Sequence, residues 1–101
     1  MKALVWRLTY RDDDGRDGFR ARGGHGWYRV SPLTGSRARY YQASHHVDGR
    51  QRIVSPRSLA AMEAVTTAEQ AKAFAQADYD AGDVDARTRQ EPQPLTLRLS
   101  L

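Results

Sequence analysis

A chain of 101 residues predicts one domain with one modest core and little room for a deep active-site cleft. Cysteine is absent, which excludes disulfides and thiolate metal sites. The net charge of +4 is uneven, because residues 1–57 carry twelve Lys or Arg against five Asp, whereas residues 58–101 carry four against seven Asp or Glu. This asymmetry indicates an anionic partner. Fourteen of the sixteen basic residues are Arg, however, which the codon bias of a GC-rich genome also explains.

The N-terminal segment KALVWRLTY, residues 2–10, alternates apolar and polar side chains, which is typical of a half-buried strand. Its apolar side carries Leu4, Trp6, Leu8 and Tyr10. A turn is predicted at residues 12–15, and a second strand or an extended loop at residues 16–22. The glycine-rich stretch FRARGGHG, residues 19–26, is interpreted as a flexible, basic hairpin loop and as the main contact surface.

A β-meander of three strands is predicted between residues 27 and 54. Trp27–Val30 begins it, and the Pro and Gly of SPLTG, residues 31–35, indicate a turn. An extended segment follows at residues 37–47. Asp48 and Gly49 then predict a type I′ hairpin turn, which leads into a returning strand at residues 51–54.

Ser55 and Pro56 change the pattern, because they suit the N-cap and the first position of a short helix. We favour a helix over SLAAMEAV, although residues 59–65 also alternate as a last strand would.

The clearest helix begins at Thr67 and Gln70, which have the spacing of a capping box. It is expected to end at Gly82, a natural residue after a helix C-terminus. Its apolar face consists of Ala68, Ala71, Phe74, Ala75 and Tyr79, with Phe74 expected to supply most of the buried area.

The C-terminal part is polar first and then strictly alternating. Residues 83–94 contain two prolines and mixed charge, which predicts a linker. Residues 95–101, LTLRLSL, predict an edge strand that joins its own sheet or that of a second chain. Pairing between chains would make a homodimer through Leu95, Leu97, Leu99 and Leu101. The expected fold is therefore α+β: a small antiparallel sheet packed on one long helix within residues 1–82, with a C-terminal edge strand.

The order of these parts, with WYRV and YYQAS preceding TTAEQAKAFAQADYD, resembles short phage and prophage accessory proteins of GC-rich bacteria. The matching helix residues are Ala71, Lys72, Ala75, Gln76, Ala77, Asp78 and Tyr79, and the similarity covers about residues 27–81. The resemblance implies a small sheet on a helix and a protein that binds and blocks a host machine, in the manner of an anti-CRISPR protein. It implies no catalytic residues.

Basic side chains of the strands and loops are the candidate contacts for a host protein complex or a nucleic acid. Arginine suits this role because its planar fork matches phosphate and carboxylate groups. The candidates are Arg16, Arg20, Arg22, His25, Arg29, Arg37, Arg39, Arg50 and Arg52. Trp6 and Trp27 are expected in the core, as is one of the neighbours Tyr40 and Tyr41.

Catalytic and metal-binding patterns are weak. Adjacent strand residues point to opposite faces, so His45 and His46 are not expected to share a metal. No phosphate-binding loop motif occurs in the sequence. Asp78 is expected to be structural, either accepting hydrogen bonds from backbone amides or pairing with an Arg of the sheet. The sequence thus predicts no enzymatic activity, no metal site and no cofactor.

We therefore expect a non-enzymatic binding protein of the cytoplasm, the host cytoplasm if a phage encodes it. The first hypothesis is an inhibitor that docks on a host defence complex through its basic surface. The second is direct DNA or RNA binding through the same arginines, and the third is a homodimeric structural protein. No membrane partner is expected, because no apolar run approaches a membrane span.

Overall fold

The computed structural model describes residues 3–90, and side chains only within residues 3–82. Five strands precede two helices along the chain: β1 (Arg7–Arg11), β2 (Asp17–Gly23), β3 (Gly26–Pro32), β4 (Tyr41–Val47), β5 (Arg50–Ile53), α1 (Leu59–Met62) and α2 (Ala68–Gln90). A 3-10 turn, Gly35–Arg37, lies between β3 and β4. The strands pair antiparallel in the order β1-β2-β3-β4-β5, so the sheet is a five-stranded meander. This confirms the α+β prediction. The predicted strand at residues 95–101, with its leucine dimer contact, lies outside the described residues.

Two hairpins close with two-residue turns in which both residues have positive φ, as a type I′ turn requires. Asp48 and Gly49 have φ of 52° and 78°, which confirms the predicted turn. Gly24 and His25 have φ of 61° and 64° and join β2 to β3. The interpretation of residues 19–26 as a flexible loop is therefore wrong. The tight turn lets the residues up to Gly23 remain paired in β2.

α2 packs across β2, β3 and β4, and small side chains make the contact close. Ala71 and Ala75 of the helix are fully buried, as the helical spacing predicts. The largest fully buried side chains are Tyr28, Val30 and Val65. Phe74 packs against the core cluster but is only partly buried, as is Tyr79. The sheet supplies half of the buried core cluster, and the helix and the connecting segments supply the other half.

The first strand is shorter and more exposed than its alternation predicts. Leu4 is buried and Trp6 is partly buried against the core, but both lie before β1. The pairing of β1 with β2 shifts register between Leu8 and Tyr10. This irregularity interrupts the alternation. The side chains of β1, including Leu8, are exposed because β1 is an edge strand and α2 contacts only β2, β3 and β4.

The capping box at the start of α2 is confirmed. The Thr67 hydroxyl accepts a hydrogen bond from the Gln70 amide at 3.2 Å, and the Gln70 side-chain oxygen accepts one from the Thr67 amide at 3.1 Å. These bonds satisfy two backbone donors that a helix N-terminus leaves free.

The short helix exists, but its N-cap is Ser58 and not Ser55. The Ser58 hydroxyl accepts a hydrogen bond from the Ala61 amide. Ser55 is buried, and its hydroxyl accepts one from the Ala43 amide of β4 at 2.9 Å. Ser55 therefore ties the segment after β5 to the sheet, and the helix begins one turn later.

α2 continues through Gly82 to Gln90, so the predicted helix end at Gly82 is wrong, and residues 83–90 of the predicted linker are helical. Glycine within a helix costs about 1 kcal/mol relative to alanine but does not end it. The next proline is Pro92, so residues 83–90 contain nothing that forbids a helix.

Candidate functional site

The strand register separates the side chains of the sheet into two faces. Ala21, Tyr28 and His45 are cross-strand partners, and they lie on the face that packs against α2. The opposite face carries four arginines and an aromatic pair. We call it the outer face and define it by Arg7, Arg20, Arg22, Trp27, Arg29 and His46.

Three arginines of the outer face form a row across three neighbouring strands. Arg20 of β2 lies directly opposite Arg7 of β1 on one side and Arg29 of β3 on the other. All three side chains are exposed. Like charges directly opposite each other destabilise a sheet, so this row does not serve folding.

No carboxylate balances the charge of this face within the described part of the chain. Asp17 is the only acidic residue of the five strands, and it pairs with Arg11 at 2.6 Å. None of the ion pairs among described residues involves Arg7, Arg22 or Arg29. The outer face is therefore a concentrated positive surface.

Trp27 lies on this surface, between Arg22 of β2 and His46 of β4. The prediction that Trp27 lies in the core is wrong. Its ring stacks on His46 of β4 with centroids 3.9 Å apart and planes 2° from parallel. The Arg20 guanidinium carbon lies 4.1 Å from the Trp27 ring centroid. Because β3 lies between β2 and β4, Arg20 and His46 cover opposite sides of the indole. We call this arrangement the Arg20–Trp27–His46 stack.

The stack is held by its surroundings. Ser44 is buried, and its hydroxyl lies 2.9 Å from Nε2 of His46, which fixes the imidazole. Burial, reinforced by the neighbouring charge of Arg29, lowers the pKa of His46. The imidazole is therefore neutral at physiological pH, so it adds no further repulsion to the arginines.

A groove lies where the stack meets the N-terminal segment. Its volume is about 920 Å³, within the roughly 300–1,000 Å³ typical of ligand sites. Val5 lines it with an exposed fraction of 77%. The outer-face residues that line it as well are Arg7, Arg20, Arg22 and Trp27. Apolar and cationic groups thus meet at one place.

Arg52, a predicted contact residue, belongs to the internal structure. Its guanidinium donates to both carboxylate oxygens of Asp78 in α2, at 2.8 Å each. Tyr28 donates its hydroxyl to the same carboxylate at 2.7 Å. The Arg52 hydrogen bonds lower the pKa of Asp78, and burial raises the pKa of Tyr28. The predicted structural role of Asp78 is confirmed.

Arg16 and Arg39 are likewise used within the chain. Arg16 pairs with Asp12 at 3.0 Å and Asp14 at 3.7 Å, where it organises the turn between β1 and β2. Arg39 pairs with Glu63 at 3.2 Å, next to α1. These two arginines are therefore poor candidates for partner contacts.

The remaining predicted contacts are exposed but lie apart from the outer face. Arg37 ends the 3-10 turn, and His25 is at the tip of the β2–β3 hairpin. Arg50 is two residues before Arg52 and so shares the helix-facing side of the edge strand β5. Arg37, Arg39, Arg50 and Arg52 therefore do not share one exposed side of the sheet. The first two precede β4, and the last two face the helix side.

Sequence reasoning omitted Arg7 from the contact residues. The alternation of the first strand does place Arg7 opposite the apolar side, which was the available signal. Only the pairing with Arg20 shows that it extends the arginine row.

Within residues 3–82, no three His, Asp or Glu side chains are grouped to hold a metal ion. No helix in the described part of the chain is long and apolar enough to cross a membrane. No family model matches the chain, and no match was found among curated proteins or solved structures. The likeness to phage accessory proteins therefore stays a prediction.

Proposed function

We propose that this chain is a non-enzymatic nucleic-acid-binding protein that contacts phosphates through the outer face of its sheet. The observation that carries the proposal is the arginine row, Arg7, Arg20 and Arg29, which has no acidic partner among the described residues. Such a row costs folding stability. A bound polyanion would offset that cost.

The shape of the surface supports a nucleic acid in particular. The outer face is an open antiparallel sheet. Its arginines are separated either by the distance between neighbouring strands or by the distance between alternate residues of one strand. An extended backbone with one negative charge per nucleotide can meet several of them at once. Arginine forks match phosphate oxygens in pairs, and Arg20 is already held against Trp27. Pre-ordering of this kind reduces the entropy lost on binding.

Docking on a host defence complex is the competing proposal, and it uses the same basic face. An acidic protein surface would also be attracted to these arginines. The two proposals differ in salt dependence, because phosphate binding releases condensed counterions.

The first test measures the affinity of labelled single-stranded oligonucleotides by fluorescence anisotropy as salt is varied. If four arginines each contact one phosphate of a single strand, log affinity falls with log salt with a slope of about −2.8. Affinity then drops roughly fiftyfold between about 50 and about 200 mM salt. Arg29→Gln should reduce the slope by about 0.7. Arg37→Gln is the matched control, since Arg37 is exposed but lies outside the outer face, and its slope should equal that of the unmodified protein.

A pull-down from host lysate with and without nuclease provides the opposing outcome. A protein complex that remains bound after nuclease treatment, together with salt-insensitive oligonucleotide binding, would overturn the nucleic-acid proposal. It would support an inhibitor of a host complex instead.

A further inference from the structure

We propose that the groove beside the Arg20–Trp27–His46 stack holds one unpaired base, so that the protein prefers single strands over duplexes. This inference rests on the proposed function and names its substrate class. It follows from the position of Arg20, from the exposed apolar side chain of Val5 and from the access that the groove allows.

Arg20 and Trp27 both line the groove, and the guanidinium carbon of Arg20 lies 4.1 Å from the indole centroid. Guanidinium planes stack on unpaired bases as aromatic rings do. A base that stacks on the free plane of Arg20 extends an existing column of base, Arg20, Trp27 and His46. Since three members of that column are already in contact, little further ordering is required.

Val5 gives the groove an apolar side. It is the most exposed large apolar residue among those described, at 77%, yet it borders arginines. Phosphate contacts alone do not require an apolar group. A base has apolar faces and polar edges, so Val5 can cover its face while Arg7 and Arg22, in the same groove, meet the adjoining phosphates.

A duplex does not present the unpaired base that the groove is proposed to hold. Bases in a duplex are paired and stacked, and extruding one costs a few kcal/mol. A single strand offers its bases at much lower cost. Phosphates are available in both forms, so duplex binding would use the arginine row alone.

The test compares an oligothymidylate of about 12 nucleotides, within known single-strand site sizes, with its duplex on oligodeoxyadenylate. Arg20→Lys retains the charge but removes the plane, so single-strand affinity should fall roughly tenfold and duplex affinity less than twofold. Val5→Ser should also weaken single-strand binding selectively. Arg37→Lys is the matched control for the arginine-to-lysine change, and it should alter neither affinity.

A fluorescence readout locates the binding independently. The chain has two tryptophans, so a Trp6→Phe background leaves Trp27 as the only one. The oligothymidylate should quench Trp27 emission at the same concentrations that raise anisotropy. Far-UV circular dichroism and urea midpoints confirm that each variant is folded.

The outcomes separate this inference from the proposed function. If Arg29→Gln weakens binding and lowers the salt slope, but Arg20→Lys affects single strand and duplex equally, the function stands and the base site is overturned. If neither oligonucleotide binds with salt dependence, the proposed function itself fails.

Discussion

The two faces of the sheet carry the same kind of aromatic pair and use it differently. Tyr28 stacks on His45 on the helix-facing side at 4.2 Å, and Trp27 stacks on His46 on the outer face at 3.9 Å. The four residues are two adjacent cross-strand pairs of β3 and β4. Their chemistry is therefore decided by what covers each face, and not by the strands that carry them.

Charge follows the same division. On the helix-facing side, Arg52 is held by Asp78, and the Tyr28 hydroxyl joins the same carboxylate. On the outer face, Arg20 meets only an indole, and Arg29 has no ion pair among the described residues. Internal pairing stabilises the fold, whereas unpaired charge is available to a partner.

The largest expected effect is on the buried aromatic. Tyr28→Ala should lower the free energy of unfolding by about 3–5 kcal/mol, since it leaves a cavity and removes the hydrogen bond to Asp78. Trp27→Ala should cost about half as much, because Trp27 is only partly buried. Urea denaturation measures both. Equal losses in the two variants would show that the outer stack is part of the core.

A smaller loss in the free energy of unfolding is expected when the Asp78 carboxylate is replaced. Its pKa is lowered in the folded state, chiefly by hydrogen bonds from Arg52. Its stabilisation is therefore complete above the unfolded pKa of about 3.9 and is lost as pH falls through the lower folded pKa. Asp78→Asn should be about 1–2 kcal/mol less stable near pH 6, a modest value because Arg52 is largely exposed.

The check is the pH profile of the urea midpoint. The difference between Asp78→Asn and the unmodified protein should narrow as pH approaches about 3, since the carboxylate is then being protonated. A difference that stays constant with pH would mean that shape at position 78, and not charge, stabilises the fold.

The smallest expected change in the free energy of unfolding is a gain in stability. Arg29→Gln should raise the free energy of unfolding by about 0.2–1 kcal/mol, because it removes the repulsion with Arg20 directly opposite. Arg29→Lys is the matched control and should bring no gain. High salt should erase the difference by screening. A destabilised Arg29→Gln would show that Arg29 has a structural role after all.

Local sequence patterns predict the structure correctly where residues close in sequence decide the conformation. Asp48 and Gly49 predict their turn because positive φ favours those residue types. Thr67 and Gln70 predict the start of α2 because each side chain satisfies the other's backbone. The opposite orientations of His45 and His46 follow from the strand period alone.

Patterns failed where a distant partner was required. Period-2 alternation separates the faces of one strand but does not say which face a helix covers. Trp27 was therefore expected in the core, and Arg52 was grouped with the contact residues. Ser55 was interpreted as a helix cap because its bond to Ala43 of β4 is invisible locally.

The sequence by itself determined a basic N-terminal half, the hairpin turn at Asp48 and Gly49, the capped helix and the α+β class, because these depend on composition and short-range geometry. Only the tertiary structure decided which arginines are free. α2 brings Asp78 to Arg52, and α1 is followed by Glu63 beside Arg39, while the register of β1, β2 and β3 aligns Arg7, Arg20 and Arg29. Ion pairs join residues that are distant in sequence, so which arginines remain unpaired is decided only when the helix packs on the sheet.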